Sequence, residues 1–157
     1  MDRGDEFDLT DFLPYLLNQA AEVLSLEFQN TYKGRYGMLR TEWRVLFHLG
    51  HYGPMTAKAI CDRARLHKTK VSRAVAALET KRYVTRHELA EDRRHAELRI
   101  TRAGQRVFDD LYQAARDFDA RIKFGFDRRD AETLVRCLSE IADLPGSAAA
   151  INQRLTE

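Results

Sequence analysis

Residues 67–78, HKTKVSRAVAAL, constrain the fold most, because at helical spacing they divide into two unlike faces. The apolar residues recur at i, i+4 and i+7, which predicts a helix with one buried stripe, formed by Val71, Val75 and Leu78. The opposite face is short, polar and basic: Thr69, Ser72, Arg73 and Ala76, with Lys68 and Lys70 at its start. Hydroxyls can bond phosphate or base edges, and arginine can bind guanine bidentately. The pattern favours a helix that docks into a DNA major groove; the alternative is an ordinary amphipathic surface helix with a solvated basic face.

The sequence on either side of this helix favours DNA docking. Thr56 is a good N-cap for a short helix over residues 57–64, which a brief turn at 65–66 joins to the helix above. Two short helices joined by a short turn, the second of them basic, form a helix-turn-helix pattern. After Arg82 the apolar period changes to two, which predicts strands over residues 83–88 and 95–101. A hairpin that directly follows a helix-turn-helix is a winged helix.

The tip of this hairpin, LAEDRR, is strongly charged. Arg93 and Arg94 are close enough to reach an adjacent minor groove, whose negative potential attracts arginine. Asp92 is expected to pair with Arg94 and to aim its guanidinium group. Arg86, on the first strand, completes the predicted DNA contacts. The alternative for the tip is a solvated charged turn.

Long helices are predicted on both sides of this lobe. Residues 9–29 carry a wide apolar stripe with Pro14 in its early turns, residues 30–37 (NTYKGRYG) read as a turn, and residues 41–50 form a helix that Gly53 ends. Thr101 caps a helix over 102–123, and Asp127 caps a last helix over 128–144 whose Leu134, Val135, Leu138 and Ile141 are expected to face inward. Wide apolar stripes at chain ends often pack against a second subunit, and the predicted dimerisation residues are Leu13, Leu16, Leu17, Leu134, Leu138 and Ile141.

Composition and charge fit a single domain over residues 1–157 that binds a polyanion. The net charge is only +2, but residues 56–102 hold 13 Lys and Arg against 6 Asp and Glu, so that positive charge is concentrated in the middle third. Chance clustering is the alternative. The chain has no long apolar run and no signal-like N-terminus, and its two cysteines give no disulfide framework, so we expect a cytoplasmic protein.

Several stretches, in this order of elements, resemble the MarR family of bacterial transcriptional regulators. They are EWRVL at residues 42–46, KTKVSR at 68–73, LE at 78–79, EDRR at 91–94 and LRITRAG at 98–104. The resemblance implies a mainly α fold with a small β-hairpin wing (α+β), in which a winged helix-turn-helix over about 39–101 is flanked by dimerisation helices over about 9–32 and 102–144. It also implies a homodimer on a palindromic operator, with Thr69, Ser72 and Arg73 in the major groove and Arg94 in the minor groove. Members of the family usually repress and are released by a small, often aromatic or anionic compound, whereas some sense oxidants through cysteine.

The chain departs from the family pattern at three places. Arg82 stands where the family commonly has glycine before the first wing strand. Leu39 stands where a threonine often caps the Trp helix, so the cap is expected to shift to Thr41. The wing tip lacks the frequent proline. These departures concern turn geometry rather than the class of fold.

Candidate effector residues lie near the expected hinge between the lobe and the long helices: Tyr32, Arg35, Tyr36, Trp43, Phe47 and His48. Arg35 could hold a carboxylate, although a plain core or surface role is the simpler interpretation for each residue. Cys61 and Cys137 are the thiols that a redox-sensing regulator would use, although a packed, inert thiol is the simpler interpretation.

Metal, cofactor and enzyme chemistry are not expected. His48 and His51 could offer two zinc ligands, but no third or fourth ligand is spaced nearby. No phosphate-binding loop, nucleophile elbow or paired-cysteine motif occurs. A winged helix used for protein contact is the remaining alternative, and such a module need not keep a basic recognition face.

Overall fold

A computed structural model describes residues 8–143, apart from the side chains of Arg93, Arg94 and Asp143. Within this part the chain forms a short 3₁₀ helix (Leu9–Asp11), six α-helices and three strands. The helices are α1 (Leu13–Tyr36), α2 (Arg40–Tyr52), α3 (Ala57–Ala64), α4 (Lys68–Thr80), α5 (Arg102–Phe124) and α6 (Arg128–Asp143), and the strands are β1 (Met55–Thr56), β2 (Val84–Leu89) and β3 (Asp92–Ile100). The predicted fold class, mainly α with a small β wing, is confirmed. Two compact units meet at the bond between Ala115 and Arg116.

The first unit is built around α2, α3, α4 and a small antiparallel sheet. The strand order is β1-β3-β2, with Val84 opposite Ile100 and Met55 opposite Leu98. Strand β1 was not predicted, since two residues are too short to show a period. The core of this unit is apolar, and its side chains that are less than 2% exposed include Leu46, Ile60, Val71, Leu78, Leu98 and Leu111.

The wing hairpin is tighter than the sequence predicted. Strand β3 begins at Asp92 rather than at residue 95, so only Ala90 and Glu91 form the turn. The pairing shifts between Glu88 and Leu89, since Glu88 lies opposite Ala96 whereas Leu89 lies opposite Asp92. Irregularities of this kind bend and twist a hairpin locally. The predicted six-residue tip was therefore wrong, and Arg93 and Arg94 belong to a strand.

Helix α1 begins later and ends later than predicted. Its first turn carries Pro14, where the missing N–H costs nothing, and Phe12 is the N-cap residue. The predicted turn over residues 30–37 was wrong, because the helix continues to Tyr36. Burial of Phe28 and Tyr32, one turn apart, explains the continuation, since packing of one face outweighs local propensity. Gly37, at φ 60°, then ends the helix in the left-handed conformation.

The predicted caps are confirmed at three helices and wrong at one. Thr56 Oγ1 accepts a hydrogen bond from Ala59 N, Thr101 Oγ1 from Gly104 N, and Asp127 Oδ1 from Asp130 N. Helix α2 begins at Arg40, so Thr41 lies inside it. Leu39 is the N-cap residue and offers no side-chain acceptor. The first turn of α2 therefore has no side-chain cap.

The second unit comprises the end of α5 and helix α6. The residues of α6 that were predicted to face inward are exposed in the single chain: Leu134 44%, Val135 44%, Leu138 39% and Ile141 38%. The prediction of burial is therefore wrong for the chain on its own. Leu144, the predicted last helical residue, lies outside the described residues. Among the described helices, none combines the length and apolarity that a membrane crossing requires.

Candidate DNA interface and effector site

Helix α4 presents the two faces that its sequence predicted. Val71, Val75 and Leu78 are at most 1% exposed and hold the helix against the core. The residues of the opposite face are all exposed: Thr69, Ser72, Arg73 and Ala76, with Lys68 and Lys70 beside them at the helix start. Two hydroxyls, a guanidinium group and two ammonium groups thus stand on one solvent-facing surface, which has the donors that phosphates and base edges require.

The turn between α3 and α4 is fixed by backbone conformation and by two side chains. Arg65 adopts φ 52° and ends α3. His67 is the N-cap residue of α4, and its Nδ1 accepts a hydrogen bond from Thr69 N at 3.3 Å. From α2, Arg44 Nη2 donates to the Ala64 carbonyl oxygen at 2.5 Å, where it satisfies one of the unpaired carbonyls at the end of α3. Burial is the main reason that the pKa of Arg44 is lowered, followed by the charge of Arg40.

An ion pair between a buried carboxylate and a half-buried lysine joins α2 to the end of α4, and no sequence pattern predicted it. Glu42 is 5% exposed, and its Oε2 accepts a hydrogen bond from Lys81 Nζ at 3.0 Å. Lys81 is the C-cap residue of α4, where a cation also interacts favourably with the helix dipole. The pair therefore links the C-terminal end of α4 to α2, beside their apolar contacts.

The wing is fastened to the rest of the lobe at its base. Arg82 adopts φ 61°, a left-handed conformation that glycine adopts without strain but that is costly for a residue with a Cβ. Arg86 Nε donates to Glu79 Oε1 at 3.0 Å, and His95 Nδ1 lies 2.8 Å from Asp92 Oδ2. The side chains of Arg93 and Arg94 are outside the described part of the structure, so the predicted pairing of Asp92 with Arg94 and the predicted contact of both arginines with the minor groove stay predictions.

An aromatic cluster joins α1, α2 and α5 near the expected hinge. Tyr32, which is 1% exposed, stacks on Trp43 with ring centroids 6.0 Å apart. Trp43 also contacts Phe28 and Phe47, and Phe47 contacts Phe108 of α5. The predicted effector residues Tyr32, Trp43 and Phe47 are thus brought together, whereas His48 lies at the edge of the cluster with its Nδ1 2.6 Å from the Arg44 carbonyl oxygen.

The other two predicted effector residues are bound to a carboxylate of the chain itself. Arg35 Nη1 donates to Asp110 Oδ2 at 3.0 Å, and the Tyr36 hydroxyl donates to the same oxygen at 2.7 Å. The hydrogen bond from Tyr36, and then that from Arg35, lower the pKa of Asp110, while the Asp110 carboxylate raises the pKa of Tyr36. Asp110 therefore already occupies the position at Arg35 that a carboxylate ligand would take.

Arg40, the first residue of α2, was not among the candidate residues predicted from the sequence. Its Nη1 donates to Glu22 Oε2 at 2.9 Å, whereas its Nη2 is buried and has no hydrogen-bond partner among the described atoms. The hydrogen bond with Glu22 is the main reason that the pKa of Arg40 is raised; the Tyr32 hydroxyl also raises it. The Tyr32 hydroxyl therefore lies near this guanidinium group, and Nη2 is a buried donor that an additional acceptor would satisfy. In the sequence, the only signal that could have indicated a role for Arg40 is its position at the start of a helix without a side-chain cap.

The thiols and histidines form no recognisable reactive centre. Cys61 and Cys137 are both half-buried and reduced. Within residues 8–143, no group of three His, Cys, Asp or Glu side chains is placed to hold a metal ion. His51 instead stacks on Phe47, with centroids 5.5 Å apart.

Comparison with known proteins agrees with this geometry. Residues 36–95, which include α2, α3, α4 and β2, match the model of the MarR family. The uncharacterized HTH-type transcriptional regulator YwoH of Bacillus subtilis is 25% identical over 120 residues, which cover 76% of this chain and 86% of the relative.

Solved structures share the fold along most of their length. A MarR/EmrR family transcriptional regulator from Acinetobacter sp. ADP1 is 24% identical, with a TM-score of 0.78 over 87% of this chain and 96% of the other. BpsR from Bordetella bronchiseptica, whose DNA binding is regulated by 6-hydroxynicotinic acid, is 16% identical, with a TM-score of 0.79 over 88% of this chain and 99% of the other. The match over residues 36–95, the shared fold and the two-faced helix α4 agree: the chain has a winged-helix fold similar to that of MarR-family transcriptional regulators.

Proposed function

We propose that the chain acts as a homodimeric repressor that binds a palindromic operator and is released by a small aromatic anion. The observation that carries the DNA-binding part is the exposed face of α4, where Thr69, Ser72 and Arg73 stand clear of the core. Lys68, Lys70 and Arg86 would contact phosphates, and Arg93 and Arg94 the minor groove. In this proposal residues 1–157 act as one functional unit in the cytoplasm, where the operator is.

Fluorescence anisotropy with a duplex from the chain's own upstream region, and with a scrambled duplex, tests this proposal. Arg73→Ala is expected to weaken operator binding by about 1–3 kcal/mol and to relax the preference for the native sequence. Arg129→Ala, an exposed arginine on α6, is the matched control and should leave both affinities unchanged. If Arg73→Ala weakens binding to both duplexes equally, Arg73 contacts phosphate and does not read the base sequence. Weak, equal binding of the wild type to both duplexes would refute specific recognition.

The proposed dimer is supported by apolar surface that the single chain leaves exposed. On α1, Leu13 is 52% and Leu16 is 45% exposed, and on α6 Leu134, Leu138 and Ile141 are 38–44% exposed. Apolar helix faces of this kind usually mark a protein interface. Light scattering at micromolar concentration should give twice the monomer mass. Leu138→Asp should shift that mass toward the monomer, whereas a monomeric wild type would refute the palindromic arrangement.

We infer the chemistry of the ligand from side chains at the junction of α1 and α2. Trp43 and Phe47 offer aromatic surface, and the buried Nη2 of Arg40 offers a donor that lacks an acceptor. An aromatic carboxylate would satisfy both features, and BpsR, which shares the fold, is regulated by such a compound. Helix α2 could transmit binding, because the same helix holds α4 through Glu42 and α3 through Arg44. The coupling between ligand and DNA is then expected to be about 1–3 kcal/mol and reciprocal.

A panel of single-ring aromatic carboxylates that includes 6-hydroxynicotinate tests the hinge. We expect one or more of them to release the operator duplex from the wild type and to require higher concentrations with Arg40→Gln. Arg35→Gln is the matched comparison, since Asp110 already occupies that guanidinium group. If release is equally sensitive in the Arg40→Gln and wild-type proteins, the anion does not use Arg40. A panel that never releases DNA would refute this ligand class.

A further inference from the structure

Arg44 is a half-buried arginine of α2 whose charge has no carboxylate partner within the described part of the chain. Burial, followed by the charge of Arg40, lowers the pKa of Arg44, so this is an unfavourable place for a cation. A guanidinium group nevertheless stays ionised there. Its hydrogen bond goes to a backbone oxygen, the carbonyl of Ala64 at the end of α3. The negative end of the α3 dipole therefore compensates the charge, and this interaction ties Arg44 to the exit from α3.

The turn between α3 and α4 depends on support from outside. Helix α3 has only eight residues, too few for a helix that is stable on its own. Arg65, which ends it, has a left-handed φ of 52° that is costly for a residue with a Cβ. The N–H groups of Arg65 and Leu66 both donate to the Cys61 carbonyl, whereas the Ala64 carbonyl receives its hydrogen bond from Arg44. Helix α2 thus completes the turn that leads into α4.

Helix α2 holds the two ends of α4 by different means. At the C-terminal end, Lys81 donates directly to Glu42. At the N-terminal end, α2 acts through the turn that Arg44 supports. Arg73 lies in the second turn of α4, so a shift of the supported turn would tilt Arg73 while the far end stays attached. A bidentate contact with a base edge requires both guanidinium donors in place, whereas a lysine binds phosphate as a point charge.

We propose that Arg44 is a positioning residue for base recognition, which fixes the turn before α4 and so determines the orientation in which Arg73 meets the DNA. The effect on DNA rests on the proposed DNA-binding function, but the effect on the turn can be measured without DNA. Loss of Arg44 should therefore reduce discrimination between base sequences more than it reduces general affinity for duplex DNA.

Hydrogen exchange of the full chain, followed by NMR without DNA, tests the effect on the turn. Arg44→Met keeps an unbranched apolar stem but removes the donors, so the Ala64 carbonyl loses its partner. The amides of Arg65 and Leu66 should then exchange about tenfold faster relative to the amide of Leu111 in α5, which reports general stability. Equal acceleration of all three amides, or unchanged protection at the turn, would overturn the proposal.

Fluorescence anisotropy tests the effect on recognition. Arg44→Met should lower the ratio of operator affinity to scrambled-duplex affinity by about tenfold, which is within the range that one bidentate base contact supplies. Affinity for the scrambled duplex should change by less than about twofold. Arg106→Met, at an exposed arginine of α5, is the matched control and should leave both affinities unchanged. An unchanged ratio, or equal losses on both duplexes, would refute the positioning role.

Circular dichroism shows whether each variant is folded under the conditions of the binding assay. If Arg44→Met does not fold, Arg44→Lys provides the milder change, because it keeps a charge and one donor group but not the planar fork. Its affinity ratio should fall in the same direction and by a smaller factor. A ratio equal to that of the wild type would then contradict the proposal.

A double-mutant cycle separates the orientation of Arg73 from other effects of Arg44. Arg73→Ala should lower the affinity ratio of the wild type by about tenfold, but that of the Arg44→Met protein by less than about threefold, because a misplaced guanidinium group contributes little. Additive losses would show that the two residues act independently and would overturn the proposal. If the wild type does not prefer the operator, the proposed function fails, whereas hydrogen exchange still decides whether Arg44 fixes the turn.

Discussion

Gly104 lies in the first turn of α5, where that helix contacts the base of the wing. Gly104→Ala should change the stability of the fold through two effects of opposite sign. Alanine in a helix is favoured over glycine by about 1 kcal/mol. However, a Cβ at this position would collide with the backbone carbonyl of Tyr83 and lie 2.9 Å from Ile100 Cγ1. A backbone carbonyl cannot rotate away as a side chain can, so α5 or the start of β2 must move.

That movement has a calculable cost. The Tyr83 carbonyl oxygen accepts a hydrogen bond from Thr101 N at 2.9 Å, and Thr101 Oγ1 donates to the Arg82 carbonyl oxygen at 2.7 Å. Loss of both contributes about 2 kcal/mol, and displacement of packed elements about 1–3 kcal/mol more. After the helix propensity is subtracted, Gly104→Ala should lower the free energy of unfolding by about 2–4 kcal/mol, or the Tm by about 5–15 °C.

Thermal unfolding followed by circular dichroism, at one protein concentration, measures the effect. Gly34→Ala is the matched control, because Gly34 lies inside α1 with no atom within 4 Å of the added Cβ. At Gly34 only the difference in helix propensity between glycine and alanine acts, so Gly34→Ala should raise the free energy of unfolding by about 0.5–1 kcal/mol. If Gly104→Ala is as stable as the wild type or more stable, then α5 can move away from the Tyr83 carbonyl at little cost, and the predicted steric penalty is refuted.

Three further predictions follow from single groups. Arg82→Gly should raise stability by about 0.5–1 kcal/mol in urea unfolding, because φ 61° strains arginine more than the added chain freedom costs; a loss would show that the Arg82 side chain stabilises the fold. Lys81→Met should cost about 3 kcal/mol, because it leaves the Glu42 carboxylate buried without its cation; a change under about 1 kcal/mol would show that Glu42 reaches water. Tyr36 and Arg35 hold the pKa of Asp110 below its ordinary value, so the ionised carboxylate stabilises the fold; this contribution is complete at a pH above the ordinary pKa and is lost as the pH falls through the lowered pKa. In acid titration below about pH 4, Asp110→Asn should therefore lose less stability than the wild type, and identical acid profiles would contradict this expectation.

The helix-turn-helix and the two long wing strands could be predicted because their signals are local, whereas the two-residue strand β1 and the tight wing turn could not. The faces of α4, the cap at Thr56 and the cap at Thr101 depend on residues within a few positions of one another. The exposed polar face of α4 follows from the same periodicity that buries Val71 and Val75. Where the sequence analysis failed, a distant contact outweighed the local signal. Residues 30–37 contain two glycines and read as a turn, yet Tyr32 is held in α1 by stacking on Trp43.

The contacts that define the candidate sites are long-range, which is why residue patterns alone did not reveal them. Glu42 and Lys81 are 39 positions apart, and Arg35 and Asp110 are 75 apart. The sequence pointed to Arg35 as a residue that could hold a carboxylate, because it lies near the expected hinge. Only the folded chain shows that Asp110 binds Arg35, that Glu22 binds Arg40, and that Nη2 of Arg40 is buried without a hydrogen-bond partner among the described atoms. A pattern identifies which residues can bind an anion, but the donors that remain for a ligand depend on the hydrogen bonds that each guanidinium group already makes in the fold.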